Sequence, residues 1–234
     1  MLEDLKEKVY QANLELVKQN LVMYTWGNAS GIDREKGLIV IKPSGISYEN
    51  MQASDMVVVD FWGNIIDGKL KPSSDTLTHI ELYKNFKDIG GIVHTHSKWA
   101  TQWAQAKRAI PTYGTTQADY FYENIPCTRE LTKNEVDRDY ERNTGKVIVE
   151  TFKDKEYMAT PGILCGGHGP FTWGKNPMNA VYHASVLERC AEMAYFTEQI
   201  SGKKEQIPKY LSDRHYFRKH GKNAYYGQNN DTLN

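Results

Sequence analysis

The chain has little cysteine, no surplus charge and no apolar stretch of membrane length. Only Cys127, Cys165 and Cys190 occur in 234 residues, an odd number without CxxC spacing. That excludes a disulfide framework and fits a reducing compartment. The 29 basic side chains are cancelled by 29 acidic ones, with no dense run of Lys or Arg, so the electrostatic pull behind nucleic-acid binding has no source. The longest apolar runs, Leu38 to Ile41 and Met56 to Val59, fall well below the ~20 residues of a bilayer crossing, and no membrane partner is expected. Glu3, Asp4 and Glu7 stand where a secretory leader would be basic and then apolar, which points to a cytoplasmic protein. Neither GxxxxGK[ST] nor GxGxxG is present, so there is no recognisable nucleotide loop. What is present, 40% hydrophobic and 12% aromatic residues, is enough for a real core, most simply one domain.

Leu5, Val9, Ala12 and Leu16 recur at helical spacing, predicting an amphipathic helix over residues 3–20. The two β-branched runs read as strands, followed by turns at Gly63-Asn64 and Asp67-Gly68. Thr76 to Phe86 reads as a helix stopped by Gly90-Gly91, Ile92 to His96 as a strand and Lys98 to Lys107 as a helix. Lys146 to Phe152 and Met158 to Cys165 read as later strands. Pro177 to Ile200 reads as a long helix with proline in its first turn, and Pro208 to His220 as a final helix. Interleaved strands and helices make the class α/β or α+β.

His94-Thr95-His96 is the most informative tripeptide. Side chains two apart on a strand share a face, so both imidazoles can meet one cation. A divalent ion needs more ligands, and the chain offers His168 in Gly166-Gly-His-Gly169 and Asp75 after Pro72-Ser-Ser74. Three nitrogens and a carboxylate suit zinc, or else manganese. His79, His183 and His220 occupy ordinary helical positions and read as packed or solvated; His215 has no assigned role.

A second group of segments has the chemistry of anion binding. Gly27-Asn28-Ala-Ser30-Gly31, Lys42-Pro-Ser44-Gly45 and Ser73-Ser74 combine small residues, hydroxyls, an amide and one lysine. A phosphate monoester is held by such backbone N–H groups, hydroxyls and a point charge. Each could equally be an ordinary turn, so their convergence in space is the expectation to test.

These segments, with TWGNASG, KPSGISY, KPSSDT, GGIVHTHS, ADYFYENIPCTR, GHGPFTWG and KHGKNAYYGQ, resemble the class II aldolase family over nearly the whole chain. Within it, ADYF and AYYGQ are similar to the L-ribulose-5-phosphate 4-epimerases. The resemblance implies a catalytic domain over residues 1–228 and a loose polar tail over 229–234. It implies a central, mainly antiparallel sheet with helices on both faces, and a homotetramer with active sites between subunits. It places Asp75, His94, His96 and His168 at a divalent metal, usually zinc. Gly27, Asn28, Ser44, Gly45, Ser73 and Ser74 match the substrate-phosphate pocket, with Lys42 beside it. Asp119 of ADYF and Tyr226 of AYYGQ match an acid–base pair, the tyrosine coming from the neighbouring subunit. Gln117 stands where some relatives carry histidine.

The implied reaction, epimerisation at carbon 4 of a phosphorylated pentulose, explains why such groups are needed. Carbon 4 is not next to the carbonyl, so simple deprotonation is closed. Retro-aldol cleavage between carbons 3 and 4, rotation of the aldehyde and re-addition invert it. Charge developing in cleavage calls for a Lewis acid, and proton transfer on opposite faces calls for two acid–base groups. Two alternatives share the fold. One is an aldolase acting on fuculose or rhamnulose 1-phosphate, which needs a glutamate base where Ser74-Asp75 stands. The other is a non-catalytic module, against which the three histidines argue.

Overall fold

A computed structural model describes residues 1–202, 205–222 and 224–226; Gly227, Gln228 and the expected tail over 229–234 lie outside the described residues. The helix α1 (Glu3–Lys18) leads to strands β1 (Asn28–Asp33), β2 (Leu38–Ile41), β3 (Val57–Val59) and β4 (Ile65–Asp67). Then come α2 (Thr76–Asn85), β5 (Gly91–His94), α3 (Lys98–Gln105), the short α4 (Thr115–Ala118) and α5 (Lys133–Thr151). The chain closes with β6 (Gly162–Leu164), β7 (Pro170–Gly174), α6 (Pro177–Ser201) and α7 (Lys209–His220). The strands form one sheet in the order β4-β3-β2-β1-β5-β7-β6, and every pairing is antiparallel.

Alternation along the strands decides what covers each face. Ile39, Val57, Val59, Ile92, Phe171 and Trp173 meet Ile80, Leu82 and Tyr83 of α2 and Ile148 of α5. On the other face Ala29, Val93, Val40 and Val58 pack against Val9, Ala12 and Leu16 of α1 and Ala180 and Val181 of α6. Helices therefore cover both faces of an antiparallel sheet, as the family resemblance implied. Buried Asn13 docks α1 on the sheet by accepting from the Ala29 amide (2.9 Å) and donating to the Ala29 carbonyl (3.2 Å).

Several elements differ from the sequence expectation. Lys146 to Phe152, expected as a strand, lies in α5 and the residue capping it. Thr132 and Glu135 form a capping box that starts this helix, and tertiary packing overrides the β-branched preference of Val147, Ile148 and Val149. Gly145 makes that packing possible: a Cβ there would stand 2.6 Å from the Glu81 Cβ on α2. The glycine-bearing segment read as a phosphate-type turn continues into strand β1, and the expected Met158–Cys165 strand is only Gly162–Leu164. No helix among the described residues is long and apolar enough to cross a membrane.

Candidate active site

His94 is the last residue of β5, paired across the sheet with Asn28 of β1 and Phe171 of β7. Its ring stacks on Phe171 at 4.1 Å, and its Nδ1 lies 2.9 Å from the Pro170 carbonyl. A carbonyl only accepts, so Nδ1 carries the proton and the Nε2 lone pair faces outward. The strand ends there, and His96 sits in the segment before α3 rather than on the strand, contrary to the expectation for Ile92 to His96. Even so, its Nε2 comes within 3.2 Å of His94 Nε2.

His168 enters from the turn between β6 and β7, closed by the Cys165 amide on the Gly169 carbonyl and the His168 amide on the Cys165 carbonyl, both at 2.9 Å. Gly169 is obligatory, because a Cβ would sit 2.7 Å from the Thr95 carbonyl oxygen. One ligand atom from each of the three rings lies within 4.8 Å of the others. Burial, then the charges of His94 and His96, press His168 down to about 3. His96 opens onto the cavity, yet lost hydration and the nearby His94 still lower it from 6.5. Three ring nitrogens converging at this spacing have the donor chemistry of a divalent cation site.

The remaining expected residues gather beside the rings. Pro43 and Pro72 form an antiparallel bridge, with the Ser44 amide donating to Lys71 and the Ser73 amide to Lys42 (2.9 and 3.0 Å). This lays the two Lys-Pro-Ser segments side by side. Gly27 closes the third side with a positive φ of 72°, where a Cβ would meet Val22 Cγ1 at 2.7 Å and the His94 carbonyl at 2.9 Å. Gly27, Asn28, Lys42, Ser44, Gly45, Ser73, Ser74 and Asp75 thus line the same cavity of about 600 Å³ as the three histidines. The separate segments converge.

Two members are held differently from the simple expectation. Asp75 is outside the three-imidazole cluster; its Oδ2 accepts from Asn28 Nδ2 at 2.7 Å. Burial raises its pKa, but the charges of His94, His79 and His168 and the Asn28 bond outweigh this and keep it below the usual carboxylate value. Lys42 turns its ammonium onto the Pro43 and Ile46 carbonyls (3.3 and 2.8 Å). Burial lowers it to about 8, so it stays largely charged at neutral pH.

Asp119 and Tyr226 do not line the cavity. They lie together on a separate patch of the same chain. Arg218 grips Asp119 with Nε and Nη2 (3.0 and 2.8 Å) and lies 4.8 Å over the Tyr226 ring. His215 Nδ1 reaches Asp119 Oδ1 at 3.1 Å, His220 Nε2 donates to the Asp119 carbonyl at 2.9 Å, and Lys219 is 3.7 Å from Oδ2. Burial pushes the Asp119 carboxyl up, but the Arg218 and His215 bonds and the Lys219 charge prevail and hold it down. Tyr226 is 59% exposed. Gln117 turns to the Ile110 carbonyl and Thr112 Oγ1, leaving Asp119 to α7.

Sequence reasoning missed the contribution of α5, where Tyr140 and Glu141 line the cavity and the Tyr140 hydroxyl lies 3.4 Å from His168 Nδ1. They follow Asp139, whose non-helical backbone (φ −159°, ψ 63°) kinks α5. The Thr132–Glu135 capping signal was the available clue to this helix. The basic partners of Asp119 were hidden for another reason: they lie on α7, at the far end of the sequence.

The description "Class II Aldolase and Adducin N-terminal domain" matches residues 7–195. An L-fuculose 1-phosphate aldolase of known structure is 27% identical with a TM-score of 0.77, covering 91% of this chain and 94% of its own. The L-fuculose 1-phosphate aldolase from Glaciozyma antarctica is 18% identical with a TM-score of 0.73, covering 92% and 80%. That from Thermus thermophilus is 20% identical with a TM-score of 0.68, covering 87% and 100%. The last two likenesses concern the fold.

Proposed function

The chain belongs to the class II aldolase and adducin N-terminal domain family, and from that premise we propose that it is a metal-dependent enzyme interconverting L-ribulose 5-phosphate and D-xylulose 5-phosphate in the cytoplasm. The observation that supports the reading is that Asp119 and Tyr226, far apart in the sequence, lie on one patch about Arg218, which binds the Asp119 carboxylate and stands 4.8 Å from the centre of the Tyr226 ring. Epimerisation takes a proton from the carbon-4 oxygen on one face of the aldehyde and returns one on the other, which calls for two acid–base groups at that oxygen.

The residues divide the work. The hydroxyls of Ser44, Ser73 and Ser74 bind the phosphate, the Ser44 and Ser73 amides being spent on the bridge between their segments, with Lys42 supplying charge from the wall. His94, His96 and His168 would hold the cation, joined by Asp75, whose carboxylate faces their field. A bound zinc would supply Lewis-acid stabilisation of the negative charge that develops as the bond between carbons 3 and 4 breaks. Asp119 and Tyr226 take the proton from the carbon-4 oxygen and return one on the other face. Because they are absent from their own chain's cavity, they would act in that of an adjacent subunit, most simply in a homotetramer. On this reading both residues cross over, rather than the tyrosine alone.

Metal-loaded protein incubated with L-ribulose 5-phosphate should yield D-xylulose 5-phosphate, and no product would sink the proposal. The likeness to fuculose 1-phosphate aldolases favours a second reading, cleavage with release of dihydroxyacetone phosphate from a 1-phosphate sugar. Against it, the carboxylate at this stretch is Asp75, already bonded to Asn28.

A further inference from the structure

A buried polar seam runs between α2 and β1, ending at the cavity. Asp75, His79 and Tyr83 recur every fourth residue along α2 and its cap, while Asn28 and Ser30 alternate onto one side of β1. Asn28 holds Asp75. Ser30 Oγ stands 2.7 Å from His79 Nδ1 and 2.9 Å from the Tyr83 hydroxyl.

Either hydroxyl of the Ser30–Tyr83 bond can be the donor; with the phenol donating, its proton goes to Ser30 Oγ. Ser30 has one proton to give and passes it to His79 Nδ1. The neutral imidazole then carries its proton on Nε2, an atom that is fully buried and has no partner among the described residues. A buried N–H of this kind demands an acceptor. Asp75, one helical turn earlier, is the carboxylate whose charge acts on His79.

We infer that His79 is a positioning residue: the Tyr83–Ser30 relay fixes its Nε2–H tautomer, and that donor steadies the Asp75 carboxylate across one water, for a cation held by the three cavity imidazoles. The inference rests on the cavity being a cation site. It gives work to a histidine that the sequence pattern presents as ordinary packing.

The test is Co²⁺ binding without sugar, followed by visible absorption and chelator competition, in wild type, His79→Asn and His79→Gln. Asparagine keeps a group facing Ser30 but removes the Nε2 donor, whereas glutamine reaches far enough to restore it. His79→Asn should weaken Co²⁺ about 10- to 100-fold, as loss of an outer-sphere partner does, and His79→Gln should recover to within about threefold of wild type. The metal-free unfolding midpoints of the two variants should match. Wild-type affinity in His79→Asn, or equal loss in both variants, would overturn the role and leave His79 as packing. A wild-type chain that takes up no Co²⁺ would overturn the cavity reading as well.

Discussion

The imidazole cavity and the Asp119 patch handle titratable groups in opposite ways. In the cavity, burial keeps His168 neutral, and backbone or side-chain bonds to His94 and Asp75 orient them. On the patch, Asp119 is kept ionised by Arg218, His215 and Lys219, and Tyr226 is largely open to solvent. The cavity is preorganised by strands and tight turns within one chain. The patch offers charge at a surface, away from the cavity of the three histidines. On the proposed reading, cation binding falls to the rigid sheet, and proton transfer to a patch that would act in the cavity of another subunit.

The largest effect should come from the cavity. His96→Asn should lose both metal and turnover, beyond the ~10⁴-fold that one acid–base group commands; metal analysis and progress curves check this, and retained metal would break the contrast. Asp119→Asn and Tyr226→Phe should each keep full metal content while slowing turnover by ~10²- to 10⁴-fold. Equal metal loss in these variants would mean that patch and cavity are not separate. Mixed assemblies sharpen the point. A Tyr226→Phe chain combined with a His94→Asn chain should regain measurable activity, because hybrids contain an intact cavity facing an intact patch. Asp119→Asn combined with Tyr226→Phe should regain none, since both lesions fall on the same patch; recovery there would put Asp119 and Tyr226 in different halves of the site.

The smallest effect concerns stability. His79 and His168 sit at about 3 against 6.5 for free imidazole. Between those values the unfolded chain binds protons that the folded chain refuses, so stability rises with pH across that window. Metal-free protein should show falling urea midpoints as the pH drops below 6.5, the ordinary imidazole value. A flat profile would mean that the two rings accept protons in the folded state.

Much of the cavity was legible because its parts are short motifs with strong local chemistry. The tripeptide around His94, the glycines around His168 and the paired Lys-Pro-Ser segments all announce themselves. The bridge between Pro43 and Pro72 that unites the last pair does not, because register between distant segments is a tertiary property. The misread α5 shows the same limit. Val147 to Val149 have strand preferences, and the helix that wins rests on the Thr132–Glu135 capping box together with the notch at Gly145 against Glu81. The seam was invisible because His79, Ser30 and Tyr83 become a set only when α2 lies on β1.

The place of β5 in the sheet bears on how an ion comes and goes. This strand, carrying His94, lies inside the strand order between β1 and β7, so it has no free edge from which to peel. Fraying is therefore a poor exit route, and amide exchange at His94 should be slow. Metal replacement should proceed through the mouth of the cavity, at a rate that mild denaturant leaves nearly untouched.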